Sequence, residues 1–124
     1  MGPLSFVGRS PRAKLVARDA TVSVSGDLPG ELVSSDGVLA TLERLLEWYR
    51  SPVAAEFGEA GSTLPPLHSG VVGYLGYDVV REVERLVDAP ADDRRLPDAV
   101  LSVIGELAAY DHWNQQVTLV ANVF

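Results

Sequence analysis

Two pairs of strand-length apolar runs bracket one long helical pattern, and this arrangement limits what the chain can fold into. Lys14-Leu15-Val16-Ala17-Arg18 reads as a strand and Asp19-Ala20 as a turn. Thr21-Val22-Ser23-Val24-Ser25 alternates polar and apolar residues, the period of a half-buried strand. The two runs predict an antiparallel hairpin. Toward the other end, Ala99 to Asp111 reads as one long apolar strand with a kink at Gly105. Residues 112–115 turn the chain, and Gln116 to Phe124 returns as a second hairpin. Between the pairs, Val38, Leu39, Leu42, Leu45, Leu46 and Tyr49 follow helical spacing, with Glu43, Arg44, Glu47 and Arg50 on the opposite face. Ser35 or Asp36 is placed to cap this helix, and Pro52 to help stop it.

The rest of the chain fits around these elements. Ser5 to Gly8 reads as a short extended piece ended by Gly8 and Pro11, and residues 26–30 break the pattern after the first hairpin. Residues 53–68 hold Gly58, Gly61, Pro65 and Pro66 with little periodicity and read as a loop. Ser69 to Tyr77, SGVVGYLGY, carries glycines at 70, 73 and 76 within an apolar run, the mark of a strand approached closely by backbone or ligand. Asp78 is placed to cap a second helix, Val79 to Leu86, with Val79, Val80, Val83 and Leu86 inward. A polar connection, Pro90 to Pro97, follows. The expected fold is α+β, an antiparallel sheet with two helices packed on one face, in a single domain over 1–124. The chain ends at Phe124 straight after an apolar strand, and the expectation is a truncated domain whose sheet continues into more protein.

Charge and composition exclude several classes of function. Ten Lys and Arg against 17 Asp and Glu give a formal net charge of −7, which opposes binding to nucleic acid or to an anionic membrane surface. With no cysteine, disulfides and thiolate metal sites are ruled out. No apolar run approaches a membrane span, and Met1 to Leu4 lacks the regions of a signal peptide. A cytoplasmic location is the simplest reading.

The chemistry-bearing residues do not converge in sequence. His68, Ser69 and Asp78 would need a triad geometry that adjacency does not provide. His112 is one of only two histidines, too few for a zinc site without cysteines, and Asp111-His112 reads as turn chemistry. Gly70, Gly73 and Gly76 do not make a phosphate-binding motif. Asp92 to Arg95 reads as a solvated loop. Glu82 and Glu84 lie on different helical faces and form no carboxylate pair. Trp48 and Trp113 read as packing or rim residues. No catalytic, cofactor-binding or metal-ligating residue is nominated.

Three collinear segments carry a family resemblance. Gly70 to Leu86, GVVGYLGYDVVREVERL, resembles the glycine-tyrosine-rich stretch of anthranilate synthase component I. Ser5 to Asp19, SFVGRSPRAKLVARD, resembles that family's opening Ser-Phe segment. Leu96 to Leu101 and Ala109 to Phe124 resemble its next stretch. The family's Arg-Tyr before Ser-Phe is replaced here by Pro3-Leu4, and its Leu-Leu-Glu-Ser motif, which lies upstream, is missing. Gly8-Arg9-Ser10-Pro11 matches the family's C-terminal glycine-rich segment only by coincidence, since the following Glu is absent.

The resemblance implies the N-terminal regulatory and scaffold portion of an enzyme, part of that family's sandwich. The intact enzyme is a lyase that converts chorismate to anthranilate in tryptophan biosynthesis, with Mg²⁺ and with ammonia from a glutamine amidotransferase subunit. Chorismate and Mg²⁺ would be bound by a C-terminal domain absent here, so this portion alone would hold no cofactor and turn nothing over. L-tryptophan is the implied allosteric inhibitor, and Ser5 is the one residue nominated to contact it. The alternative for Ser5 is a strand residue satisfied by its neighbours. Two other functional readings remain: a stand-alone amino-acid-binding or interaction module without catalysis, and a fragment of an aminodeoxychorismate synthase component. Exposed apolar surface on the final and glycine-rich strands predicts a homodimer.

Overall fold

A computed structural model describes residues 3–28, 32, 36–50 and 64–123. The strands are β1 (Leu4–Arg9), β2 (Ala13–Arg18), β3 (Thr21–Gly26), β4 (Val71–Leu75), β5 (Ala99–Val103), β6 (Glu106–Asp111) and β7 (Gln116–Ala121). Among the described residues, one α-helix, α1 (Gly37–Trp48), lies between β3 and β4, and a 3-10 helix (Tyr77–Glu82) follows β4. All strand pairing is antiparallel, in two sheets ordered β3-β2-β5-β4 and β1-β6-β7. The α+β class and both hairpins stand as expected.

The four-stranded sheet and α1 build the main core. Along β2, Ala13, Leu15 and Ala17 point inward while Lys14 and Arg18 do not, the alternation of a strand with one covered face. Leu15 lies opposite Leu101 on β5, and Leu101 lies opposite Gly73 on β4. Val38, Thr41 and Leu45 of α1 are fully buried, and Val38 and Leu45 join the core with Val22 and Val79. Full burial of a side chain such as Leu45 stabilises by about 1.5–3 kcal/mol. Thr41, the buried polar residue of this core, donates its Oγ1 hydrogen to Gly37 O at 2.7 Å. Leu46, placed inward by helical spacing, is instead 49% exposed.

The expected long strand over 99–111 is two strands in two different sheets. The chain leaves the larger sheet after Val103 and enters the smaller one at Glu106. The link between β1 and β2 makes the same crossing in reverse, with Ser10 at φ +49°. The two links run together: Arg12 N donates to Val103 O at 3.0 Å, and a Cβ on Gly105 would collide with Ser10 O. Asn122 pins the crossing from the far side, its N donating to Gly105 O at 2.9 Å and its Nδ2 to His68 O at 3.0 Å. Gly105 is therefore a corner between layers, where only a residue without a side chain admits the neighbouring backbone.

The second helix also differs from expectation. It is a 3-10 helix over Tyr77–Glu82, not an α-helix over 79–86, and it begins after Gly76, whose N donates to Asp98 O at 2.6 Å. Asp78 does not cap it; Asp78 accepts from Arg81 Nε at 2.8 Å. Val79 is buried, but Val83 and Leu86 are exposed. The physical reason is Glu82. Its two carboxylate oxygens accept from Val38 N at 2.7 Å and Leu39 N at 2.9 Å, capping α1 from 44 and 43 residues away. Asp36 occupies the N-cap position but makes no side-chain cap bond; it pairs with Arg44 at 2.7 Å.

Other expectations are met or fall outside the described residues. Gly73 does admit close approach, since a Cβ there would run into the Val100 carbonyl. Asp92 accepts from Arg94 N and Arg95 N within an exposed loop. Residues 53–63 of the expected loop, Ser35, Pro52 and Phe124 lie outside the described residues, and residues 64–70 carry no helix or strand.

Candidate functional site

The β1–β6 register sets the surroundings of Ser5. Leu4 lies opposite Asp111 and Ser5 opposite Tyr110, which brings the start of the chain against the β6–β7 turn. Ser5 Oγ and His112 Nε2 are hydrogen-bonded at 2.7 Å, and His112 N donates to Pro3 O at 3.1 Å. The Tyr110 ring meets His112 edge-on, with centroids 4.7 Å apart. Sequence reasoning placed Ser5 but not its partner, because 107 positions separate them and nothing local connects them.

A serine beside a histidine invites a hydrolytic reading, and the neighbouring carboxylate opposes it. Asp111 accepts from Trp113 N at 2.8 Å, Asn114 N at 3.0 Å and Asn114 Nδ2 at 2.9 Å. These bonds to Asn114, with a smaller contribution from Trp113, hold its carboxyl below the usual carboxylate range. Asp111 thus anchors the turn as the sequence predicts, and it does not orient His112. At the second expected cluster, His68 Nδ1 lies 3.0 Å from Pro65 O and Asp78 is paired with Arg81. Among the described residues, no group of three or more His, Cys, Asp or Glu side chains comes together to hold a metal ion. Trp113 is 79% exposed at the hairpin tip and Trp48 is 42% exposed, both rim positions.

Two hollows among the described residues bear on binding. A cleft of about 310 Å³ opens where the sheets diverge, between Phe6 and Leu107 of the smaller sheet and Val72 of the larger, with Leu67 and Ile104 along its walls. Its volume lies at the lower end of small-molecule sites, about 300–1,000 Å³. Arg9 and Glu106 also line it, joined at 2.5 Å; that hydrogen bond and the carboxylate charge raise the Arg9 pKa. Phe6 faces the cleft, so the alternation of β1 places Ser5 on the opposite face of the strand. A larger, open groove of about 680 Å³ runs beside α1, between Leu39, Leu46 and Val83, rimmed by Glu43 and Glu47. No helix among the described residues is long and apolar enough to cross a membrane.

No protein-family model matches the chain. Individual relatives do. Anthranilate synthase component 1 of Mycolicibacterium smegmatis is 36% identical over 118 residues, which is 95% of this chain and 21% of that protein. The Mycobacterium tuberculosis (strain H37Rv) protein of the same name is also 36% identical over 118 residues, 22% of its length. Among solved structures, anthranilate synthase component I from Streptococcus pneumoniae TIGR4 superposes with a TM-score of 0.67 at 18% identity, covering 97% of this chain and 24% of that one. The chain therefore spans about a fifth of the length of the curated relatives it matches, in their N-terminal part. Over the segment it spans, the chain is similar in sequence to the N-terminal part of proteins named anthranilate synthase component 1, and it shares the fold of the matching part of a solved one.

Proposed function

We propose that this chain serves as the N-terminal regulatory and scaffold portion of an anthranilate synthase component I, and that it performs no chemistry by itself. The observation that carries this reading is the 36% identity running through 95% of the chain against an N-terminal fifth of proteins with that name. In the whole enzyme, the reaction would be the lyase conversion of chorismate to anthranilate for tryptophan biosynthesis. Ammonia would come from a glutamine amidotransferase subunit, and chorismate would be bound by the C-terminal portion. Mg²⁺ does not fit the described residues, which gather no set of ligating side chains, so no step is routed through a metal here. The setting would be the cytoplasm.

The cleft between the sheets is the proposed seat of L-tryptophan as inhibitor. Phe6, Leu67 and Leu107 offer apolar walls for an indole, and Glu106 and Arg9 at the mouth match an ammonium and a carboxylate. Ser5, hydrogen-bonded to His112 on the other face of β1, is proposed to hold that strand in place beside the cleft and not to touch a ligand inside it. Titration calorimetry of the chain with L-tryptophan tests the cleft. Heat of binding that Leu107→Asp abolishes and Glu47→Gln, in the separate groove beside α1, leaves alone is the expected result. Tryptophan binding unaffected by Leu107→Asp, or none at millimolar ligand, would refute the assignment of the cleft.

A further inference from the structure

We propose that Asn122 latches a short strap of chain along the cleft between the sheets, and that this tie sets the position of Leu67 in the cleft wall. The strap is residues 65–70, which carry no helix or strand and lead into β4. Leu67 lines the cleft from this strap, whereas Val72, Val103 and Leu107 line it from strands. One wall of the cleft therefore has no sheet ladder to hold it, and such a segment opens easily unless other bonds tie it down. The role of the tie in binding rests on the reading of the cleft as a ligand site; the tie itself does not.

Both ends of the strap are fixed. Pro65 is buried at its start. At its end, Ile104 N donates to Gly70 O at 2.9 Å. Gly70 has φ +118°, and a Cβ on it would meet nothing within 4 Å, so glycine serves the backbone conformation there and not a close approach. It is the pivot at which strap becomes strand. Between the ends, His68 Nδ1 donates to Pro65 O at 3.0 Å; a carbonyl only accepts, so this nitrogen carries the hydrogen. That bond lies within the strap and does not attach it to the sheets.

Asn122 supplies the attachment in mid-span. Its Nδ2 donates to His68 O at 3.0 Å, one residue from Leu67, and more weakly to Ile104 O at 3.4 Å. Both partners are carbonyls, so the amide nitrogen and not the amide oxygen must face them. The backbone N of the same residue donates to Gly105 O at 2.9 Å. Asn122 thus joins the strap to the corner where the chain passes from one sheet to the other. It is a positioning residue, acting on the cleft through the strap. Aspartate has the same shape but would turn acceptors toward two carbonyls, which makes the tie specific to an amide.

The chain has no cysteine, so one introduced thiol is a clean reporter of local opening. Leu67→Cys places it on the strap, and Ser69→Cys, a nearly isosteric change, gives a second reporter there. Val24→Cys, half-buried in β3 against the main core, is the control for general loosening. The rate of reaction with a water-soluble disulfide reagent is measured for each thiol with Asn122 intact, with Asn122→Ala and with Asn122→Asp, after circular dichroism has shown the fold retained. Loss of a neutral hydrogen bond shifts such an opening by about 2- to 10-fold. The strap thiols should react faster by that factor with Asn122→Ala and faster still with Asn122→Asp, while the Val24→Cys rate stays the same. Strap thiols indifferent to both substitutions would overturn the proposal. So would equal acceleration of strap and control thiols, which would make Asn122 a general stabiliser. No ligand enters the measurement, so its failure is distinct from failure of the tryptophan assignment, which calorimetry reads.

Discussion

Glu82→Ala removes both acceptors from the start of α1 while leaving the helix sequence untouched. The first four N–H groups of a helix have no partner within it, and Glu82 satisfies two of them, at Val38 and Leu39. Losing a capping residue typically costs about 0.5–2 kcal/mol, and losing a negative charge at a helix N-terminus about 0.3–1 kcal/mol more at the surface. Glu82 is exposed and water can reach Leu39 N, so a total of about 1.5 kcal/mol is the reasonable expectation. For a domain of this length that lowers Tm by about 4–8 °C. Glu82→Gln keeps an acceptor without the charge and should lose about half as much. The capping geometry makes a sharper claim. Gly37 has φ +86°, and a Cβ on it would stand 2.5 Å from Glu82 Cδ. Gly37→Ala therefore destabilises in two ways: backbone strain of about 1 kcal/mol and displacement of the carboxylate. Urea unfolding of the two single variants and the double variant measures the coupling. The double variant should be more stable than the sum of the singles implies, by about 0.5–1 kcal/mol. Full additivity, or a Glu82→Ala variant as stable as the parent, would refute the argument that Glu82 caps α1.

Other consequences follow from the core, the corner and the turn. Leu45→Ala empties a fully buried position in α1 and should cost about 2–5 kcal/mol, read as a large fall in the urea midpoint with the slope unchanged. Gly105→Ala forces a methyl group into the Ser10 carbonyl and should destabilise by about 1–3 kcal/mol, with loss of hydrogen-exchange protection at Arg12 N and Asn122 N. Asp111 has a folded pKa below its ordinary 3.8, so its contribution is present above the unfolded value and is lost as pH falls through the lower, folded one. The Trp113 and Asn114 amide signals should therefore shift as pH falls below about 4, and Asp111→Ala should abolish that titration.

What could be read from the sequence was what depends on neighbours. The alternation of Thr21 to Ser25 fixed β3, the Asp19-Ala20 turn joined it to β2, and the spacing of Val38, Leu42 and Leu45 placed α1. Gly105 was visible as a break, but a kink within one strand and a corner between two sheets look alike until Ser10 is brought beside it. The Glu82 cap could not be read, because its partners lie more than 40 positions away and the local pattern of Val79, Val83 and Leu86 suggests an ordinary amphipathic helix. At the candidate site, Ser5 was visible through a motif. His112 was visible only as a turn residue, and the hydrogen bond between them arises from β1–β6 register. The cleft joins residues from five segments of the chain and has no signature in any one of them.

The central claim is that this chain is a non-catalytic portion of an anthranilate synthase component I. It is tested most directly by supplying the pure chain with chorismate, Mg²⁺ and ammonium and following the fluorescence of anthranilate. The account predicts no signal above the uncatalysed background at any concentration of the chain, and appearance of anthranilate in proportion to the chain would contradict it.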